Sequence, residues 1–275
     1  MSQILCSTGA IIVQANNRDF HLLESLAKEL TCDGFEFMMY SSWYEKRDEL
    51  VPYLKDLKET GIRFPVMHCE KHIGEGISKG DFEEALGLFE INCQIANEIG
   101  ADKMVVHLWD GIFSDANFPN NVKGYEMLEK ASSEHGIVLC IENVVCNQAD
   151  PMKHWKELYE TYPEISFVFD TKMAAFHSQL EELYAQENEW LWKEGHICHY
   201  HVNDYDGGHM EWSKLKTLPI GAGNIDFDRF FEFINRTGFK DTFTIEANAV
   251  NAEGVVDLAQ LNRQFEFVRG KLKKQ

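Results

Sequence analysis

Four side chains able to hold a metal, Glu142, Asp170, His201 and Glu246, each end a short apolar run of strand-like composition. The runs are Val138 to Glu142, Ser166 to Asp170, Ile197 to His201 and Thr242 to Glu246. Three carboxylates and one imidazole form a mixed oxygen and nitrogen donor set suited to a divalent cation. They stand 28, 31 and 45 residues apart (170 − 142, 201 − 170, 246 − 201), each gap wide enough for one helix. Taken singly, an acid after a strand is often a helix cap, and a histidine there is often a hydrogen-bonded core residue. Taken together, three buried carboxylates repel one another and are costly to desolvate, and a cation relieves both difficulties. The expectation is that these four side chains converge on one ion.

Such convergence requires a scaffold that gathers strand ends. Short β-rich runs alternate with stretches of helical period along the chain. Further strands are expected at Ile4–Val13 (bent at Gly9), Gly34–Met39, Phe64–His68 and Lys103–Leu108. Helices are expected at Phe20–Leu30, Lys46–Thr60, Phe82–Ile99, Val122–His135, Pro151–Thr161, somewhere within Ala174–Trp192, and at Phe227–Arg236 and Val256–Leu272. The Gly-rich, charged stretch His72–Gly80 reads as a loop. Eight strand and eight helix signals without a linker imply a single α/β domain over residues 1–275, a (β/α)8 TIM barrel. The rival is an open doubly wound sheet, which the lack of Gly-x-Gly-x-x-Gly after the first strand disfavours.

Active sites of such barrels lie at the C-terminal strand ends. Polar residues there are Glu36, His68, His107, Glu142, Asp170, His201 and Glu246. One layer down, Cys140, Val168, His199 and Thr244 would line the barrel floor, with His199 structural. Tyr40, Trp43, Tyr44 and Trp109 read either as an apolar wall for a sugar-like ligand or as loop core.

A net charge of −19, from 45 acids against 26 bases, is poorly matched to a phosphate backbone, so nucleic acid is not an expected partner. No apolar run approaches the roughly 20 residues that cross a bilayer, and no signal peptide or membrane association is expected. Seven scattered cysteines without a Cys-x-x-Cys read as packed, reduced thiols of a cytoplasmic protein.

Several short motifs together resemble the xylose isomerase-like barrel superfamily. These are Val-Met-His (66–68), Val-Val-His (105–107), Ile-Glu-Asn (141–143), Phe-Asp-Thr (169–171), His-Val-Asn-Asp (201–204), Pro-Ile-Gly-Ala-Gly-Asn-Ile-Asp (219–226) and Ile-Glu (245–246). The superfamily includes sugar isomerases and epimerases, inosose and 3-dehydroshikimate dehydratases, and endonuclease IV. The resemblance implies a single Mn²⁺, Co²⁺, Mg²⁺ or Zn²⁺ on Glu142, Asp170, His201 and Glu246. Glu142 and Glu246 would exchange the proton of an enediolate mechanism, making the chain a metal-dependent isomerase or epimerase of a small sugar, sugar phosphate or keto-polyol. A dehydratase acting on a keto-acid or inosose, or a non-catalytic sugar-binding barrel, are the alternatives. His68 and His107 match positions that meet the substrate or a second metal, Glu36 and Trp109 are expected beside them, and Asp204 matches a supporting position behind the ligands. Homo-oligomers are common among such barrels, and no exposed stripe marks an interface here.

Two departures from the pattern matter. Where relatives carry Asp-Thr-Gly-His, this chain reads Asp170-Thr171-Lys172-Met173, so a substrate-binding histidine is missing. Lys172 instead suits an anionic substrate group, and His177 lies one helical turn further on. The second departure concerns the extra ligands of a three-zinc nuclease, which are absent at Met173 and at Ser213-Lys214-Leu215-Lys216.

Overall fold

The structure is a computed structural model that describes residues 2–272. In chain order it runs β1 (Gln3–Ser7), α1 (Leu22–Ala27), β2 (Gly34–Met38), α2 (Arg47–Glu59), β3 (Val66–His68), α3 (His72–Lys79), α4 (Phe82–Ile99) and β4 (Lys103–Val106). There follow α5 (Phe118–Glu134), β5 (Val138–Glu142), α6 (Pro151–Thr161), β6 (Ser166–Asp170), α7 (Thr171–Phe176), α8 (Leu180–Tyr184) and α9 (Trp190–Lys193). The chain closes with β7 (Ile197–His201), α10 (Phe227–Thr237), β8 (Thr242–Ile245) and α11 (Leu258–Lys271). The eight strands are parallel and close into a barrel in the order β1 to β8, the expected fold class. By contact density the chain forms two compact units, one of Met1–Glu36 with Asp170–Gln275 and one of Phe37–Phe169.

In the first unit β8 pairs with β7 on one side and β1 on the other. Opposed residues include His199 with Thr242 and His201 with Thr244, and β1 pairs onward so that Ser7 meets Glu36. Alternation along these strands sends Tyr200 and Phe243 outward, where the rings stack at 5.5 Å, and sends His199, His201, Thr242 and Thr244 inward. Phe230 and Phe231 on α10, both buried, cover the outer face. This strong amphipathic face is what the sequence period announced.

In the second unit β3, β4, β5 and β6 pair in parallel, with His68 opposite Val105, Val106 opposite Ile141 and Glu142 opposite Val168. The expected loop at His72–Gly80 is instead α3. Its signal was Ile73 and Ile77, one turn apart and both buried, which two glycines obscured. Those glycines are there for packing. A Cβ on Gly74 would stand 1.9 Å from the carbonyl oxygen of His107, so only a bare backbone lets α3 lie against the exit of β4. Gly124 of α5 likewise admits Ile77, whose Cγ2 would be 2.4 Å from an added Cβ.

Other boundaries move for local reasons. β1 stops at Ser7, whose hydroxyl accepts the amide of Gly9 at 3.1 Å and starts a 3₁₀ turn, so no strand continues to Val13. The single helix expected within Ala174–Trp192 is three short ones, α7, α8 and α9. Ser178, in the left-handed region at φ 58°, separates the first from the second.

Gly74→Ala forces a methyl group into backbone that no rotamer change can move. Unfolding by urea is expected to show a loss of roughly 1–3 kcal/mol. The matched Gly87→Ala, with nothing within 4 Å of its added Cβ, should be neutral or stabilise.

Candidate active site

Three of the four expected ligands fall in the first unit. Asp170 ends β6, His201 ends β7, and Glu246 follows β8. Asp170 and His201 are fully buried, and the Glu246 side chain keeps 13% exposure, which makes it the accessible one. Asn203 joins them. Its amide nitrogen donates to Asp170 Oδ2 and to Glu246 Oε2, both at 3.0 Å. Its own oxygen accepts the Glu246 amide at 3.1 Å, so the side chain cannot flip without losing all three bonds. Asn203 is anchored in turn by the Thr171 hydroxyl, which accepts its amide at 2.9 Å and donates to its carbonyl at 2.6 Å. Sequence reasoning assigned nothing to Asn203, although it lies within the His-Val-Asn-Asp motif.

His201 is held from below. Its Nε2 lies 3.1 Å from Glu36, and its Nδ1 faces Glu246 Oε2 at 3.4 Å and Asp170 Oδ2 at 3.9 Å. In the tautomer whose Nε2 hydrogen goes to Glu36, Nδ1 presents a lone pair toward the two carboxylates. Three acceptors facing one another are mutually repulsive, and a divalent cation suits that arrangement. The residues present therefore fit a metal.

Glu36 was expected at the rim as a substrate contact. It stands in mid-strand, fully buried, where it accepts hydrogen bonds from His199 Nε2 at 2.8 Å and the Thr244 hydroxyl at 2.7 Å. Burial alone would raise its carboxyl, but His201 and His199 beside it hold it well below the ordinary range. His199 is completed by Thr242, 2.6 Å from its Nδ1. The floor of this unit is thus a hydrogen-bonded polar layer, with His199 and Thr244 in it as expected and Glu36 and Thr242 joining them.

Asp204 does not reach the His201 ring. Its two oxygens accept the amides of Tyr205, Gly221, Gly223 and Ile225 at 2.8 to 3.1 Å, which fixes the Gly-Ala-Gly loop. The acid that orients His201 is Glu36, and Asp204 shapes the loop beyond.

In the second unit Glu142 ends β5 and meets two imidazoles. His107 Nε2 lies 2.9 Å from Glu142 Oε2, and His68 Nε2 lies 3.4 Å from the same oxygen. His68 donates from Nδ1 to the Cys69 carbonyl at 2.9 Å, and His107 pairs through Nδ1 with Asp110 at 2.6 Å. Burial would lower the His107 pKa, but the charges and hydrogen bonds of Glu142 and Asp110 outweigh it and push it up to about 10. The rings of His68 and His107 meet edge to face at 4.9 Å. Trp109 is loop core: its ring packs on Phe118 and His154, and its Nε1 donates to the Val144 carbonyl at 3.1 Å. Trp43 is buried against Phe37 and Tyr40. Lys172 is nearly buried, and its ammonium donates to the Thr217 hydroxyl at 3.1 Å.

The seven cysteines are all free thiols, and no described helix is long and apolar enough to cross a membrane.

Residues 25–268 match the family described as xylose isomerase-like TIM barrel. An L-ribulose-5-phosphate 3-epimerase of Salmonella heidelberg strain SL476 is 23% identical, over 90% of this chain and 88% of its own. An inosose dehydratase of Erwinia tasmaniensis is 25% identical over 82% of each. Among solved structures, the IOLI protein with a bound zinc atom superposes with a TM-score of 0.73, at 16% identity, over 99% of this chain and 100% of that one. At that identity the likeness speaks for the fold.

The loop that leaves Glu142 is bolted to the loop leaving β4. Asp115 accepts the amides of Asn147, Gln148 and Ala149 at 2.8 to 2.9 Å and pairs with His154 Nε2 at 2.9 Å. Burial would raise the Asp115 carboxyl, but His154 and the three amides hold it far below the ordinary carboxylate range. A depressed folded pKa gives stability that is complete above the unfolded value of about 4 and is lost as pH falls below it. Asp115→Ala should therefore cost about 3 kcal/mol at neutral pH. The gap between wild type and variant, followed by urea unfolding, should narrow as the pH is lowered from about 4.

Proposed function

The chain belongs to the xylose isomerase-like TIM barrel family, and on that footing we propose that it is a divalent-metal-dependent epimerase or isomerase of a small ketose. Its relatives support a sugar epimerase or isomerase type of activity, or a dehydratase type. The observation that carries the narrower reading is Asn203, which binds Asp170 and Glu246 together beside the Nδ1 of His201. Glu142 completes the ligand set in this reading. The four donors then stand at the C-terminal ends of β5, β6, β7 and β8, consecutive strands of the barrel. A bound divalent ion would supply Lewis-acid polarisation of the substrate carbonyl.

The proton is moved by the chain's own groups. One of Glu142 and Glu246 takes the proton from the carbon beside the carbonyl, and the electron pair of that C–H bond flows toward the carbonyl oxygen. The other carboxyl returns a proton to the opposite face, which inverts the centre. Glu246 is suited to approach from solvent because it alone of its unit's ligands is partly exposed. Glu142 has His107 and His68 beside it, and these imidazoles also offer donors to substrate hydroxyls. Glu36 contributes by fixing which nitrogen of His201 faces the ligand cluster.

Glu246→Gln keeps the size and a donor but removes the base. Exchange of ketose C–H protons in deuterated water should fall by about 10²–10⁴-fold. Full retention excludes this role for Glu246, and loss of water from the substrate instead of exchange assigns the dehydratase type.

Glu36→Gln lets His201 turn or change tautomer. Calorimetric titration with Mn²⁺ or Zn²⁺ should show affinity reduced by roughly 10–100-fold with the fold intact by circular dichroism. Unchanged affinity removes Glu36 from metal positioning.

A further inference from the structure

Lys172 is 8% exposed, and no other lysine or arginine among the described residues is buried to that degree. Its ammonium has one hydrogen-bond partner among them, the Thr217 hydroxyl at 3.1 Å, and no carboxylate within salt-bridge distance. An exposed lysine without an acid is solvated by water, whereas a lysine buried to this degree depends on the groups it touches. A hydroxyl orients an ammonium without neutralising it, and a buried charge with one neutral partner is unfavourable. The group is held at the C-terminal side of the strands. Lys172 follows Asp170 by two residues at the end of β6. Thr217 precedes Leu218, which forms a bridge with Asp204 just beyond β7. Asp204 in turn fixes the 221–225 backbone, so the loop presenting Thr217 is anchored rather than loose.

We infer that Lys172 and Thr217 form a subsite for an anionic substituent of the substrate, a phosphate monoester or a carboxylate. The inference rests on the ketose reading above and narrows its substrate class to acidic or phosphorylated sugars. An ammonium offers three donors and full charge to such a group, and the threonine hydroxyl adds a fourth donor when it turns from Lys172 toward the anion. Buried in this way, the pair acts where water competes weakly.

Two measurements test it, one of which is independent of catalysis. Inorganic phosphate and sodium acetate, titrated calorimetrically into protein freed of metal by chelation, read the subsite alone. Wild type should bind at least one of them, and Lys172→Met should bind it at least tenfold more weakly, while Lys172→Arg recovers part of the loss. The anion that binds tells phosphate from carboxylate. Binding of neither by wild type, or equal binding by wild type and Lys172→Met, overturns the subsite. In the second measurement, kcat/KM for L-ribulose 5-phosphate and for a ketose carboxylate is each divided by that for L-ribulose. The larger ratio should fall about a hundredfold in Lys172→Met, the loss expected when a charge-assisted hydrogen bond goes. A ratio that does not change overturns the inference. Should Lys172→Met fail to fold, Thr217→Val carries both tests with a loss of about three- to tenfold, and no loss counts against the subsite. Failure of every ketose to exchange protons strikes the epimerase reading, whereas the phosphate and acetate titrations still decide the subsite.

Discussion

The repulsion between Asp170 and Glu246 is the constraint around which the first unit is arranged. Their oxygens are drawn to one amide nitrogen at 3.0 Å each, in surroundings that leave Asp170 no solvent exposure. Two carboxylates so placed would separate or take up a proton unless something holds them and something compensates them. Asn203 does the holding, and it is itself immobilised by Thr171 and by the Glu246 backbone. Neither contact is local in sequence. Thr171 lies 32 residues away, and Glu246 lies 43. The geometry therefore exists only when β6, β7 and β8 are assembled.

Below this cluster the barrel interior departs from the apolar layers usual in parallel barrels. Glu36, His199, Thr242 and Thr244 form a closed hydrogen-bonded set beneath His201, all of them buried. Replacing buried polar groups of this sort by apolar residues of similar volume is often neutral or stabilising, so stability does not explain them. What the set does provide is a fixed ring: His201 has one nitrogen committed downward, and its other nitrogen can point only at the ligand cluster. On the proposed reading, in which His201 ligates a metal, orientation of that imidazole by a carboxylate would be worth an order of magnitude or more in affinity, a sufficient reason for the polar layer.

The strand ends were legible because a parallel barrel strand is a short apolar run, and a charged residue that ends such a run is conspicuous. Glu142, Asp170, His201 and Glu246 were found this way. Three other features were not readable, each for its own reason. Gly74 and Gly76 imitate a loop in α3, because the demand for a bare backbone at Gly74 comes from His107, more than 30 residues away in sequence. Glu36 was read as a rim residue, yet β2 runs on two residues to Met38, so Glu36 sits a layer below the rim, and single-sequence boundaries are not that sharp. Asn203 and Asp204 are adjacent, and alternation decides which of them faces the ligands. The acid drew the assignment because its chemistry is louder, whereas the amide faces the cluster and the acid faces the loop.

Net charge sets a further condition on what the mouth of such a barrel can accept. At −19 the chain repels anions at long range, though salt confines that field to about 10 Å at moderate ionic strength. An anionic ligand therefore gains nothing from steering and must be recognised by groups it touches. Some exposed lysines are taken up by acids, as with Lys79 on Glu75 and Lys193 on Glu189, and those add little attraction. A positive group that is to bind an anion in this protein has to be kept from those acids. Burial does so: it removes an ammonium from exposed carboxylates and raises the strength of whatever pairing it later makes. Lys172, shielded and joined only to a hydroxyl among the described residues, meets that condition, where a surface lysine in the same chain would not.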